Sequence, residues 1–239
     1  MPTVRAALLL SIAAVLSGCA SAGKSEAPDG VNLAGNWKLD PAASDDPQKL
    51  LDKMRAEAFK IIDRRRNAPP PVPPRSGRPG AAGGPSTGQG QQGQSAEDEP
   101  PPPPPPGTVR PDPLRYSPMA HIIRDTVERG DFLAVRQDAD EFVLDYGTSR
   151  RTFTPGGHSV VSAEGGVGDQ TSGWKGKSYV IHVRDQTGPD VTEEYSLSGD
   201  GKELIMKLHV GSAELPAVDL TRIYRPTTEA APQQLPNND

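Results

Sequence analysis

Cysteine is almost missing from this 239-residue sequence, where Cys19 is the only one. An intrachain disulfide framework is excluded, as is any site built on two thiolates. Aromatic residues make up only 5% of the chain, which restricts a compact core to a single, mostly aliphatic one. No apolar run reaches the roughly 20 residues that a membrane-spanning helix needs. Leu and Ile are absent from residues 67–112. A segment so poor in apolar side chains cannot bury enough area to offset its ordering entropy. The four histidines, His121, His158, His182 and His209, are too scattered to spell a metal-binding motif, although His182 and His209 fall on strands that could be neighbours. A formal charge of −5 gives no electrostatic reason to expect nucleic acid as a partner. No cofactor motif is found.

What is present begins at the N-terminus. Arg5 is followed by an apolar stretch from Ala6 to Val15 and then by Leu16-Ser17-Gly18-Cys19. The stretch is the length of a removable signal. The tetrapeptide resembles the bacterial lipobox, in which a lipidated cysteine becomes the new N-terminus. The resemblance implies lipidation of Cys19, with residues 1–18 removed, and two or three acyl chains hold a protein at a membrane durably where one does not. An ordinary secretory signal with an incidental cysteine is the alternative. Ala20, in place of the Asp that retains many lipoproteins at the inner membrane, implies the periplasmic face of the outer membrane.

Residues 19–30 read as a polar tether of at most about 35 Å. Residues 31–66 hold a first strand and then an amphipathic helix opened by Asp46-Pro47, with Leu51, Met54, Ala58, Ile61 and Ile62 at helical spacing. Residues 67–112 form a Pro/Gly/Gln-rich insertion containing the unbroken run Pro100 to Pro106, expected to be disordered with local polyproline II. Residues 113–226 open with a short helix from Ser117-Pro118, with Met119, Ile122, Ile123 and Val127 on its apolar stripe and Gly130 at its end. Period-two alternation then predicts strands over 132–136, 141–146, 150–154, 179–184, 191–197, 204–210 and 218–224. The glycine-rich stretch 156–168 holds at most a short strand at 159–162. Residues 227–239 are expected to be a disordered tail. The fold class is mainly β: an antiparallel up-and-down meander or barrel of about eight to nine strands with two accessory helices. Residues 31–66 either join that barrel or stand alone, and pairing of the first strand with the last decides between the two.

Gly35-Asn36-Trp37 looks like the lipocalin G-x-W. Together with Leu33 to Asp40, Ser44, Trp174-Lys175-Gly176-Lys177 and Arg222-Ile223-Tyr224-Arg225, it is similar to lipocalin-like barrel domains of bacterial envelope proteins. The resemblance implies a cation–π contact between Trp37 and Arg222 or Arg225 that closes the barrel. The second lipocalin motif is missing from its place, since Asp145-Tyr146 comes too early in the strand order. No ligand site is therefore carried over from that family.

Chemistry-bearing patterns are few. Gly176-Lys177-Ser178 is not a P-loop, because Thr171 stands where glycine is required. Glu193 and Glu194 are adjacent on a strand and face opposite ways, so they cannot form a catalytic pair. No G-x-S-x-G is present, and an enzymatic role is not expected. Trp37, Phe142, Leu144, Tyr195 and Met206 are expected to face the barrel interior. There they either line a cavity for a small apolar or lipid ligand or fill a solid core. The first case gives a lipid-anchored outer-membrane binding protein whose partners are the membrane and an apolar ligand. The second gives a non-enzymatic envelope scaffold that contacts proteins or peptidoglycan through its helices and Pro-rich arm.

Overall fold

Local chemistry sets both helices. The computed structural model describes residues 23–68 and 110–232; the readings at Cys19, in residues 1–22, over 69–109 and over 233–239 lie outside them. Helix α1 (Pro47–Arg66) is capped by Asp46, whose carboxylate accepts from the Gln48 and Lys49 amides at 2.9 and 3.3 Å. Pro47 gives up no hydrogen bond at the first position, and Arg64, Arg65 and Arg66 meet the negative end of the helix dipole. Helix α2 (Pro118–Glu128) repeats this start, with Ser117 Oγ accepting from the Ala120 amide. The two helices touch each other, and α1 also packs on the last strand. Among the described residues, no helix is long and apolar enough to cross a membrane.

Ten antiparallel strands form one sheet: β1 (Gly35–Leu39), β2 (Phe132–Gln137), β3 (Phe142–Asp145), β4 (Arg150–Phe153), β5 (His158–Ala163), β6 (Gly166–Lys175), β7 (Ser178–Asp185), β8 (Asp190–Leu197), β9 (Leu204–Gly211) and β10 (Val218–Pro226). Their order across the sheet is β4-β3-β2-β1-β10-β9-β8-β7-β6-β5. The fold is thus the expected up-and-down antiparallel architecture, curled round its own side chains. β1 pairs with β10 through Trp37↔Pro226 and Leu39↔Tyr224, and with β2 through Trp37↔Leu133. Residues 35–39 are therefore an internal strand of the same sheet as the last one.

Past Leu39 the chain continues along β10 without being a strand. Asp40 and Asp45 amides donate to the Ile223 and Thr221 carbonyls at 2.8 and 2.9 Å. Ser44 Oγ accepts from the Ile223 amide and Asp45 accepts from the Thr221 amide. The insertion leaves and returns on one face as well: Arg110 reaches Asp63 at 2.5 Å and stacks over Phe59, while Asp112 pairs with Arg55 at 3.1 Å.

The curl brings β3 and β4 opposite β7 and β8. Phe142 stacks on Tyr179 with ring centroids 3.7 Å apart, and Trp174 meets both rings edge-on. The two end strands, β4 and β5, are consecutive but not hydrogen-bonded neighbours. The edge of β6 is instead covered in three pieces. β5 pairs with Gly166 to Thr171, the Gly156-Gly157 turn exchanges bonds with Ser172, and Lys24 forms a two-bond bridge with Trp174.

Two details depart from the sequence reading. β6 is a full ten-residue strand, although its Gly166, Gly168 and Gly173 and its polar run Asp169 to Ser172 gave no apolar alternation. On α2, the buried face carries Met119, Ala120, Ile123 and Thr126, while Val127 is exposed. Thr126 can face inward because its hydroxyl donates to the Ile122 carbonyl at 2.8 Å.

Candidate functional site

The five residues expected to face the interior are all buried. Trp37, Phe142, Leu144, Tyr195 and Met206 are each no more than 5% exposed and belong to one apolar cluster with α1 and α2. Among them, Phe142 stacks directly on Tyr179. Burial pushes the Tyr179 hydroxyl up to about 12, against the lowering effect of its bond to Ser172.

The barrel-closing pair of Trp37 and Arg222 is not formed. Along the β1–β10 ladder Trp37 stands opposite Pro226, and the ladder ends at Leu39↔Tyr224. Arg222 lies beyond that end, about 14 Å along the strand from Pro226 at about 3.4 Å per residue. Trp37 Nε1 donates to the Leu33 carbonyl at 3.1 Å. Arg222 lies over the Tyr224 ring and donates to the Thr126 and Gly130 carbonyls at 2.5 and 2.6 Å, tying the end of α2 to the sheet. The alternative arginine, Arg225, binds Asp40 at 2.9 Å.

The most charged part of the interior went unread in the sequence. Glu193 on β8 is 3% exposed and receives Arg151 from β4 at 2.8 and 2.6 Å, and Arg129 from the end of α2 at 3.1 Å. Tyr195 donates to the same carboxylate at 2.8 Å, and Tyr146 stands 2.9 Å from the Tyr195 hydroxyl. Burial would raise the Glu193 carboxyl, but Arg129 and Arg151, with bonds from Arg151 and Tyr195, outweigh it and hold it near about 2. Tyr195 is raised by burial and by the Glu193 charge. The group is a satisfied internal ion cluster: both carboxylate oxygens are taken. Beside it opens a cleft of about 160 Å³ with Ile122, Val183, Val191 and Pro189 on its walls and the acids Asp125, Asp185 and Glu164 on its lining. Glu194 faces the other way and accepts from Ser178 at 2.6 Å.

The histidines stay apart. His182 and His209 flank Thr192 in one cross-strand row, with the whole of β8 between them. His209 pairs with Asp219 at 2.7 Å, and His158 lies 3.4 Å from Asp169. His121 Nδ1 lies 2.7 Å from Glu164 and its Nε2 3.4 Å from Asp125, the trio whose atoms could hold a metal ion. Each ring nitrogen already meets a different carboxylate, chiefly Glu164, and these raise the imidazole pKa. A single metal ion could use only one of the two ring nitrogens.

The larger opening lies between helix and sheet. A groove of about 330 Å³ runs between α1 and the β9–β10 connection, with Leu50, Met54, Leu215 and Val218 forming its apolar walls and Lys53, Glu57 and Asp219 its charged rim. Its size falls at the lower end of small-molecule sites. Sequence periodicity placed Met54 on the apolar face of α1, but nothing local revealed that residues 215–218 would stand across from it.

No family model and no curated protein matches this chain. Among solved structures, it is similar to a REP1-NXSQ fatty acid transporter, at 15% identity and a TM-score of 0.40, over 83% of this chain and 98% of that one. It is also similar to zebrafish ileal bile acid-binding protein with cholic acid, at 14% identity and a TM-score of 0.32, over 45% of this chain and 80% of that one. For a fatty acid-binding protein from the brain of Drosophila melanogaster the values are 18% and 0.31, over 39% and 70% of the two chains.

Proposed function

We propose that this chain is a lipid-anchored envelope protein of the bacterial outer membrane that binds a small apolar or lipid ligand and performs no catalysis. The observation that carries the reading is the groove between α1 and residues 215–219, about 330 Å³ with apolar walls and a mixed-charge rim. That volume suits a single acyl chain or a compact apolar molecule, and Lys53 and Asp219 at the rim suit a polar head left in water. The interior near the β6–β7 turn is occupied by Phe142, Tyr179 and Trp174 in mutual contact. The ligand site is therefore assigned to the helix–sheet groove rather than to the lumen. The anchor rests on the lipobox-like Leu16 to Cys19 and on the absence of any other thiol.

Native mass spectrometry of the full mature chain, purified without added ligand, tests the binding reading. The expected result is an adduct mass that organic extraction removes and that partitions as an amphipath. A bare protein mass that also takes up no added fatty acid contradicts it. The stacked interior favours a second reading, a scaffold with a solid core that works through its helices and Pro-rich arm. Deleting residues 69–109 from the full chain should then abolish co-purification of envelope partners; unchanged partners remove this reading.

A further inference from the structure

Gly23 and Lys24 do not hang free of the sheet. They lie along the edge of β6 in an isolated bridge, with the Lys24 amide donating to the Trp174 carbonyl and the Trp174 amide to the Lys24 carbonyl, both at 2.9 Å. The seat is made for glycine. A Cβ on Gly23 would come within 2.5 Å of the Gly173 carbonyl carbon, one on Gly173 within 2.8 Å of Gly23, and one on Gly156 within 3.2 Å of Ser25. Only bare backbone lets the two segments approach this closely.

The docking shortens the leash. Lys24 is five residue steps from Cys19, at most about 18 Å of chain, about half of what a free tether to residue 30 would reach. Trp174 is the last residue but one of β6, so the strap is seated next to the β6–β7 turn. That turn carries Lys175 and Lys177, both exposed, and Lys24 beside them is exposed as well. Acidic groups at the same end sit on the β2–β3 turn (Asp138, Asp140 and Glu141), on the β8–β9 turn (Asp200, paired with Lys202) and just after the strap (Glu26). Within this end the lysines gather at the β6–β7 corner and the largest group of acids at the β2–β3 corner, so an anionic surface attracts the first and repels the second. This attraction operates only within about 10 Å at 0.1 M salt, a range that a leash of at most about 18 Å keeps within reach.

We infer that the β6–β7 turn with Lys24, Lys175 and Lys177 is the membrane-facing surface of this protein, held against anionic phospholipid headgroups by a docked strap at Gly23-Lys24. This inference rests on the lipid anchor proposed above. It has a consequence for the groove. Antiparallel order places the β9–β10, β7–β8 and β5–β6 turns at the opposite end from the β6–β7 turn. The groove at Leu215 and Val218 then opens away from the bilayer, toward the soluble phase, and not into the lipid.

The test uses the full lipidated chain on vesicles of phosphatidylethanolamine and phosphatidylglycerol, with a headgroup-level quencher in the lipid. Fluorophores are placed singly at Lys177→Cys, on the β6–β7 turn, and at Gln186→Cys, on the β7–β8 turn; both positions are exposed. A lipidated Cys19 offers no thiol to the label. The expected result is quenching at 177 at least threefold stronger than at 186, with the ratio falling toward one in Gly23→Val. Vesicle binding with equal or reversed quenching overturns the orientation while leaving the anchor intact. A ratio unchanged in Gly23→Val overturns the role of the strap. A chain that labels at Cys19 and stays off the vesicles overturns the anchor and the orientation together.

Discussion

Glu193 concentrates more of this molecule's electrostatics than any other side chain described. Two guanidinium groups from distant parts of the chain and a tyrosine hydroxyl converge on it. Removing the carboxylate charge would leave two arginines in the interior without an anion, a situation that costs about 3–5 kcal/mol for buried pairs. Arg129 and Arg151 keep 19% and 24% of their side-chain surface exposed, so the low end is expected. Urea unfolding of Glu193→Gln should show a loss of about 3 kcal/mol, and a change below 1 kcal/mol would mean that water already screens the cluster. The pH dependence follows from the same residue. Its folded pKa of about 2 lies below the ordinary value of 4.5, so its contribution is complete above about pH 4.5 and fades as pH falls toward 2. Acid unfolding of the wild type should steepen over that window, and Glu193→Gln should flatten it.

The cluster was only half legible in the sequence. On β8, residues 191, 193, 195 and 197 share a face by alternation, and an acid in a row that also holds Val191, Tyr195 and Leu197 is itself a signal of a buried, paired carboxylate. Its partners were not readable, because Arg129 and Arg151 stand 64 and 42 residues away in the sequence. In contrast, the inward set of Trp37, Phe142, Leu144, Tyr195 and Met206 followed from alternation alone. Replacing Phe142 by Ala should cost about 3–5 kcal/mol, because it removes the ring stacked on Tyr179 from a packed interior.

At the scale of elements, legibility tracked local chemistry. Both helices announced their starts through Asp46-Pro47 and Ser117-Pro118, since a cap is a property of neighbouring residues. Strands β7 to β10 announced themselves by alternation. β6 did not, because Gly173 makes room for the backbone of Gly23 and Gly156 and the run Asp169 to Ser172 is polar. The stripe on α2 was displaced toward Thr126 for a similar reason: Arg222, 96 residues away, claims the Thr126 carbonyl. The Asp46 cap is open to direct measurement. Asp46→Ala should lower stability by about 1 kcal/mol, read as an earlier midpoint in urea with an unchanged slope, while Asp46→Asn should recover most of it.

For the whole molecule, one sheet threaded by a long excursion gives the architecture. β1 lies between β10 and β2, so residues on either side of the Pro-rich insertion depend on each other for their hydrogen bonds. The insertion begins and ends on the same body, near the Arg110–Asp63 and Arg55–Asp112 pairs. Deleting residues 69–109 should therefore leave the thermal midpoint within a few degrees of the parent, since loop-closure entropy changes slowly with length. A collapse of the midpoint would show that the excursion carries structural contacts.

The central claim is that a small apolar ligand sits in the groove between α1 and residues 215–219. Ala217 lies on the exposed wall of that groove, outside the buried core, and Ala217→Trp would fill the space without touching the interior. The decisive measurement is a fluorescent fatty acid titrated into the folded wild type and into this variant. The account predicts saturable binding near one equivalent by the wild type and at least tenfold weaker binding by Ala217→Trp, with its thermal midpoint unchanged. Absence of saturable binding, or equal affinity in the two proteins, would contradict it.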